Sequence, residues 1–149
     1  MGIMGPSYYP RVTGQLTQRN VQTSEAVTQG VRVRVTARYS PERSSPTRNF
    51  WFFLYTIEIT NEGAEPVQLI SRHWIITDAD NNVEEVRGRG VVGRQPTLAP
   101  DELFEYTSGC PLKTPFGSMR GTYQMITAGG EKFDADVAPF ALTEPYTVH

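Results

Sequence analysis

Gly88, Gly90 and Gly93 fall in the run GRGVVG, with Arg87, Arg89 and Arg94 in and around it. That spacing matches G-x-G-x-x-G, in which glycines let backbone amides approach a pyrophosphate at a helix N-terminus. The helix is the failing part. The residues that follow are Arg94-Gln95-Pro96-Thr97-Leu98-Ala99-Pro100, and two prolines so close together cannot open one. A dinucleotide-binding fold is therefore rejected. Two readings of the glycines stay open. One is a loop whose amides form an anion nest among Arg87, Arg89 and Arg94. The other is a strand that bends or crosses between sheets, where glycine relieves crowding.

The other reactive residues support less. Asp78-Ala79-Asp80-Asn81-Asn82 places oxygens at the first, third and fifth positions of a calcium loop. The sixth position is Val83 instead of Gly and the twelfth is Arg89 instead of Glu, so an EF-hand is excluded. An Asx-rich hairpin turn remains, with at most a weak divalent contact at its carboxylates. His73 and His149 are the only histidines and Cys110 the only cysteine, fewer than the three or four nitrogen and sulfur ligands of a zinc site. Their separation in sequence is no evidence for a Cys110–His73 nucleophile–base pair, and Ser108-Gly109-Cys110-Pro111 reads as a turn. Glu84 and Glu85 are adjacent and would face opposite sides of a strand. No catalytic residue, metal ligand or cofactor follows, and the chain reads as a non-enzyme. Phe50, Phe52 and Phe116 would form an apolar patch suited to a partner if nothing covers them.

A formal charge of −2 over 149 residues gives no bulk basicity for holding nucleic acid or an acidic membrane. Twelve of the 14 cationic residues are arginine, a side chain whose fork suits phosphate and carboxylate, although a GC-rich genome would produce the same bias. A single cysteine fits a reducing compartment. No signal-peptide pattern opens the chain and no segment approaches the ~20 apolar residues of a membrane helix. A cytoplasmic protein without membrane insertion is expected.

The elements that would position these residues are strands. The organising one is Asn49–Asn61, NFWFFLYTIEITN, with Trp51, Phe53, Tyr55, Ile57 and Ile59 on one face at period two. Val31–Tyr39 alternates Val31, Val33, Val35, Ala37 and Tyr39 with an outer stripe of Arg32, Arg34, Thr36 and Arg38. Further strands are expected at Val67–Thr77, Val83–Arg87, Glu102–Ser108, Met119–Thr127 and Lys132–Leu142. In the first of these the inward residues change parity between Leu69 and Trp74, which predicts a β-bulge near Ser71-Arg72. Cys110–Gly117, holding two prolines, reads as a loop. About seven strands with turn signals between them give an all-β antiparallel sandwich, immunoglobulin-like or fibronectin type III-like, with Trp74 as its buried tryptophan. Residues 1–24 have no surviving period and read as a flexible N-terminal tail, leaving 25–149 as the domain.

Val31-Arg32-Val33, Tyr55–Asn61 (YTIEITN), Ser71–Asn81 (SRHWIITDADN), Glu84–Pro100 (EEVRGRGVVGRQPTLAP) and Tyr106–Met125 (YTSGCPLKTPFGSMRGTYQM) together resemble the ApaG family. The resemblance covers about Glu25 to the C-terminus. It implies the same sandwich class, an ApaG domain, and the family's glycine motif at Gly88, Gly90 and Gly93. Bacterial members are associated with cobalt resistance and magnesium efflux, and their genes lie beside a diadenosine tetraphosphate hydrolase. Related eukaryotic domains act as interaction modules in F-box proteins and in a DNA-polymerase-interacting protein. The resemblance implies a module that binds a protein partner. The alternative is a pyrophosphate or dinucleoside-polyphosphate sensor using Gly88–Gly93. An uncovered edge strand would also permit a homodimer.

Overall fold

The computed structural model describes residues 20–145, which form nine strands and two short 3₁₀ turns. The strands are β1 (Gln22–Thr28), β2 (Val31–Tyr39), β3 (Trp51–Asn61), β4 (Val67–Asp78), β5 (Val83–Arg89), β6 (Thr97–Leu98), β7 (Leu103–Leu112), β8 (Phe116–Thr127) and β9 (Lys132–Thr143). One sheet has the order β1-β2-β3-β7. The other runs β5-β4-β8-β9, with β6 also paired to β4. All pairs are antiparallel, and the two sheets face each other as the expected all-β sandwich.

The organising strand behaves as its period requires. Phe53, Tyr55, Ile57 and Ile59 are buried between the sheets, and Trp51 packs partly buried against the same core. Across from them lie Trp74, Met119, Tyr123, Ala135, Val137 and Phe140. Trp74 meets Tyr55, Tyr123 and Phe140 edge-on, with centroids 5.6–6.2 Å apart, the arrangement aromatic quadrupoles prefer. On the other face of β3, Phe52 and Leu54 form a small second cluster. The proline-bounded loop folds back over Phe52: Ser40 N–H donates to Phe52 O and Phe52 N–H donates to Ser44 Oγ. Phe52 is therefore covered, whereas Phe50 and Phe116 are exposed.

The predicted bulge is present one residue earlier than expected, at Ile70, where the β4–β8 register slips between Leu69 and Ser71. Three features differ from the reading of the sequence. Gln22–Thr28 is a strand, reaching into the stretch read as tail; residues 1–19, and His149, lie outside the described residues. Ser108-Gly109-Cys110-Pro111 is no turn but the end of β7, paired with Phe52–Tyr55. Pro111 is tolerated because β7 is an edge strand, so its missing N–H can face away from the ladder. β6 is a two-residue strand too short to leave a periodic signal.

Two of the three arginines in the β2 stripe are neutralised by carboxylates. Arg32 pairs with Glu25 on β1 and with Glu62 beyond β3, and Arg34 reaches Glu25 and Glu58. One flank of the sandwich is closed by the first and last strands: Ser24 Oγ donates to Ala138 O, and Asp136 N–H donates to Thr28 Oγ1. The opposite flank carries the other two edges, β5 and β7, each hydrogen-bonded to a neighbour on one side only.

Candidate functional site

The glycine run sits on that second flank. Val83–Arg89 pairs with Ser71–Thr77, and Thr97–Leu98 resumes the same antiparallel line along Val67–Gln68. β5 and β6 are therefore one edge strand interrupted by an excursion of residues 90–96. The bulge provides the anchor. Displaced from the β8 register, Ile70 offers its carbonyl to Gly90 N–H at 2.8 Å and to Gln95 Nε2 at 2.9 Å. Gln68 Nε2 donates to Gln95 O, and Leu69 N–H donates to Pro96 O. The tip is a tight turn in which Val91 and Arg94 exchange two 2.8 Å backbone bonds across Val92 (φ 41) and Gly93 (φ 79).

Each glycine of the motif has a local steric cause. A Cβ on Gly90, at φ +63, would lie 2.3 Å from Arg94 O; one on Gly88 would lie 2.6 Å from the Arg72 guanidinium carbon. Gly93 takes the second left-handed position of the turn, where glycine has no steric penalty. Arg72 was not singled out in the sequence, yet it is central here. It shares the parity of Trp74 and Ile76, so it faces inward on β4, opposite Gly88 and Tyr123. Its guanidinium crosses the space Gly88 leaves, and Nη1 donates to Arg89 O at 3.1 Å and Gly90 O at 2.7 Å. Simple alternation back from Trp74 would have found it.

The three arginines of the motif do not converge. Arg87 extends toward Glu85 at 3.7 Å, largely in solvent. Arg94 lies over the Phe104 ring at 5.3 Å, a cation–π contact on β7. Arg89 pairs with Ser71 and by alternation leaves the sheet on its outer side. The amides of Gly90, Val91 and Arg94 are all taken by carbonyls. Those of Val92 and Gly93 donate to no acceptor among the described residues.

At the far end of the same flank a cleft of about 510 Å³ opens between the ends of β5 and β7. Phe50, Ile76, Val83 and Leu112 supply its apolar wall, while Asp78, Glu84 and Lys113 bring charge to it. Val83 is 61% exposed and lines the cleft together with the exposed Phe50. Asp78 Oδ1 accepts from the amides of Asp80 and Asn82, so the acidic turn is the Asx hairpin expected. Burial opposes its charge, but the Asn82 and Asp80 donors prevail and hold the Asp78 carboxyl below its ordinary range.

The remaining reactive residues are apart. His73 Nε2 and Glu85 Oε1 are 2.7 Å apart on the outer face of the sheet, while Cys110 is wholly buried. Burial, with the Glu84 charge adding to it, pushes the Cys110 thiol up to about 12, so no thiolate is present near neutrality. Cys110 in the native chain is expected to react with a maleimide on the order of 100-fold more slowly than in urea, since access requires opening of the fold. Mass spectrometry of a labelling time course checks this.

Comparison with known proteins gives a consistent result. A family model described as the ApaG domain matches residues 41–127. The chain is 57% identical over 117 residues to Protein ApaG of Bordetella pertussis, covering 78% of this chain and 89% of that one. It is 56% identical over 126 residues to Protein ApaG of Anaeromyxobacter sp. strain K, covering 85% and 99%. Among solved structures, the ApaA protein of Bordetella pertussis superposes with a TM-score of 0.76 at 56% identity, covering 78% of this chain and 95% of that one.

Proposed function

This chain belongs to the ApaG domain family, and from that premise we propose that it is a non-enzymatic binding module which receives an extended segment of a protein partner on the open flank of its sandwich. The observation that carries this reading is the coincidence, on one flank, of two free sheet edges and an apolar cleft between their ends. A free edge offers backbone donors and acceptors to an added strand, and a pocket beside it selects alternate side chains. Here β5 carries Glu84 and Glu85, and Asp78 borders the cleft. The fitting segment therefore alternates apolar and basic residues, the apolar ones entering between Phe50, Val83 and Leu112. The family's association with cobalt resistance and magnesium efflux would then arise through the partner.

The test is an amide-resolved NMR titration with synthetic extended peptides that alternate valine or leucine with lysine, against glutamate counterparts. Saturable shifts are expected along Val83–Arg87 and around Leu112 for the basic set. Val83→Lys, which removes the apolar contact and repels the basic residues, should weaken that binding about tenfold, the loss of roughly 1.4 kcal/mol. Flat titrations for both sets at millimolar peptide would end the proposal. Self-association at this edge would show as concentration-dependent shifts without peptide.

A second reading rests on one observation, the uncommitted amides of Val92 and Gly93 at the tip of the Gly88–Gly93 run. Two adjacent uncommitted amides near Arg89 and Arg94 would be the donors for a pyrophosphate or dinucleoside-polyphosphate oxygen. Titration with inorganic pyrophosphate and then diadenosine tetraphosphate, with and without magnesium, separates the two readings. Saturable shifts confined to Val92, Gly93 and the flanking arginines would move the binding function to the turn.

A further inference from the structure

Beneath the excursion of residues 90–96, between the two sheets, lies a cavity with about 10 Å³ open to the centre of a water-sized molecule. That is room for one such molecule and no more. Its walls are unusually polar for a sandwich core. Tyr55 Oη, Ser108 Oγ, Trp74 Nε1 and Arg72 Nε are all buried without a hydrogen-bond partner in the protein, and all four belong to residues lining this cavity. Tyr55, Trp74 and Ser108 are each 1–2% exposed. Tyr55 and Ser108 stand directly opposite each other on β3 and β7. They are close enough for Ser108 to act on the phenol, yet not aligned as a bond, so both hydroxyls remain available. The neighbouring hydroxyls of Tyr106 and Tyr123 are bonded to each other at 2.5 Å.

The chemistry of the four groups is restrictive. An indole N–H and a guanidinium Nε–H can only donate, whereas a phenol and a serine hydroxyl can donate or accept. A cation has no place against two obligate donors. One water accepts two bonds and donates two, so a single molecule gives each of the four atoms a partner. We propose that this cavity is the binding site of one resident water, held by Trp74 and Arg72 as donors and by Tyr55 and Ser108 as acceptors. Val92 closes it from above. Valine at φ 41 is sterically strained, but from that position its side chain packs on the core and forms part of the cavity wall. The water links Arg72, which also bonds the carbonyls of Arg89 and Gly90, to both sheets, so the base of the glycine excursion and the sandwich interior share one hydrogen-bond network.

The test uses the full chain. A high-resolution crystal structure grown in sodium bromide is expected to show one density peak within hydrogen-bond distance of at least three of the four atoms, with no anomalous signal. An anomalous peak there would make the site a halide site, and the absence of any peak would make the cavity dry; either overturns the proposal. In solution, oxygen-17 relaxation dispersion counts long-lived internal waters. Ser108→Val, whose branches fill the cavity, should lower the count by one with the remaining amide spectrum conserved, and an unchanged count would also overturn it.

Discussion

Gly121→Ala is expected to destabilise the protein by about 3–5 kcal/mol, the range of severe overpacking and backbone displacement. Gly121 pairs with Trp74 on β4 and sits at the register slip of β8 against β9. A Cβ there would stand 2.1 Å from His73 O and 3.1 Å from the Trp74 ring. The carbonyl is backbone and cannot turn aside, so β4 and β8 must separate along the centre of their sheet. The Trp74 ring borders the same position, so a side chain there would press on the His73 backbone first and on the tryptophan as well. Urea unfolding should show a midpoint lower by about 2 M, given slopes of ~1–3 kcal/mol per molar for domains of this size. Gly129→Ala is the control: its nearest neighbours would be at 3.8 Å, and a change under about 1 kcal/mol is expected. Equal losses at the two positions would refute the steric account.

Gly90→Ala should follow, at about 2–4 kcal/mol. The left-handed φ of +63 penalises any side chain, and the Arg94 carbonyl at 2.3 Å adds a clash. Gly90 also uses both backbone groups, its N–H to Ile70 O and its carbonyl to Arg72 Nη1. Displacing it would release the excursion from the bulge and the arginine together. A fall in melting temperature on the order of 10 °C is expected, with loss of amide protection at Gly90, Val91 and Arg94. If the melting temperature fell with that protection intact, the excursion would be anchored by something other than these bonds.

How much of this was legible in the sequence depends on whether one element alone carried the signal. The inward face of β3 was readable because five large residues alternate without interruption. The bulge was readable because Leu69 and Trp74 disagree in parity, an inconsistency only an extra residue resolves. β1 was hidden: Gln22, Ser24 and Thr28 leave it half-exposed along its length, and its burial comes from β9, more than 100 residues away. The end of β7 was hidden because Gly109 and Pro111 are turn residues in isolation. In the fold, Gly109 makes room for Phe52, whose ring would lie 2.2 Å from a Cβ, and Pro111 occupies a free edge. The site divides along the same line. The glycines could be found by spacing, but their reasons are contacts with Arg72 and Arg94 O, which require the fold. The polar cavity draws its walls from β3, β4, β7 and the excursion, so no single stretch of sequence announces it.

The closing of one flank by β1 and β9 bears on synthesis. β1 cannot complete its packing until β9, more than 100 residues later, has been made, so a nascent chain holds β1 and β2 with part of their inner face uncovered. Such long-range closure places the domain among slow folders, in milliseconds to seconds. During that interval the exposed edges of the nascent chain are open to wrong pairing. The Glu25–Arg32–Arg34–Glu58 lattice on the outside of β1–β3 is already complete at that stage, and gives the unfinished sheet a charged, unadhesive back while it waits for its C-terminal half.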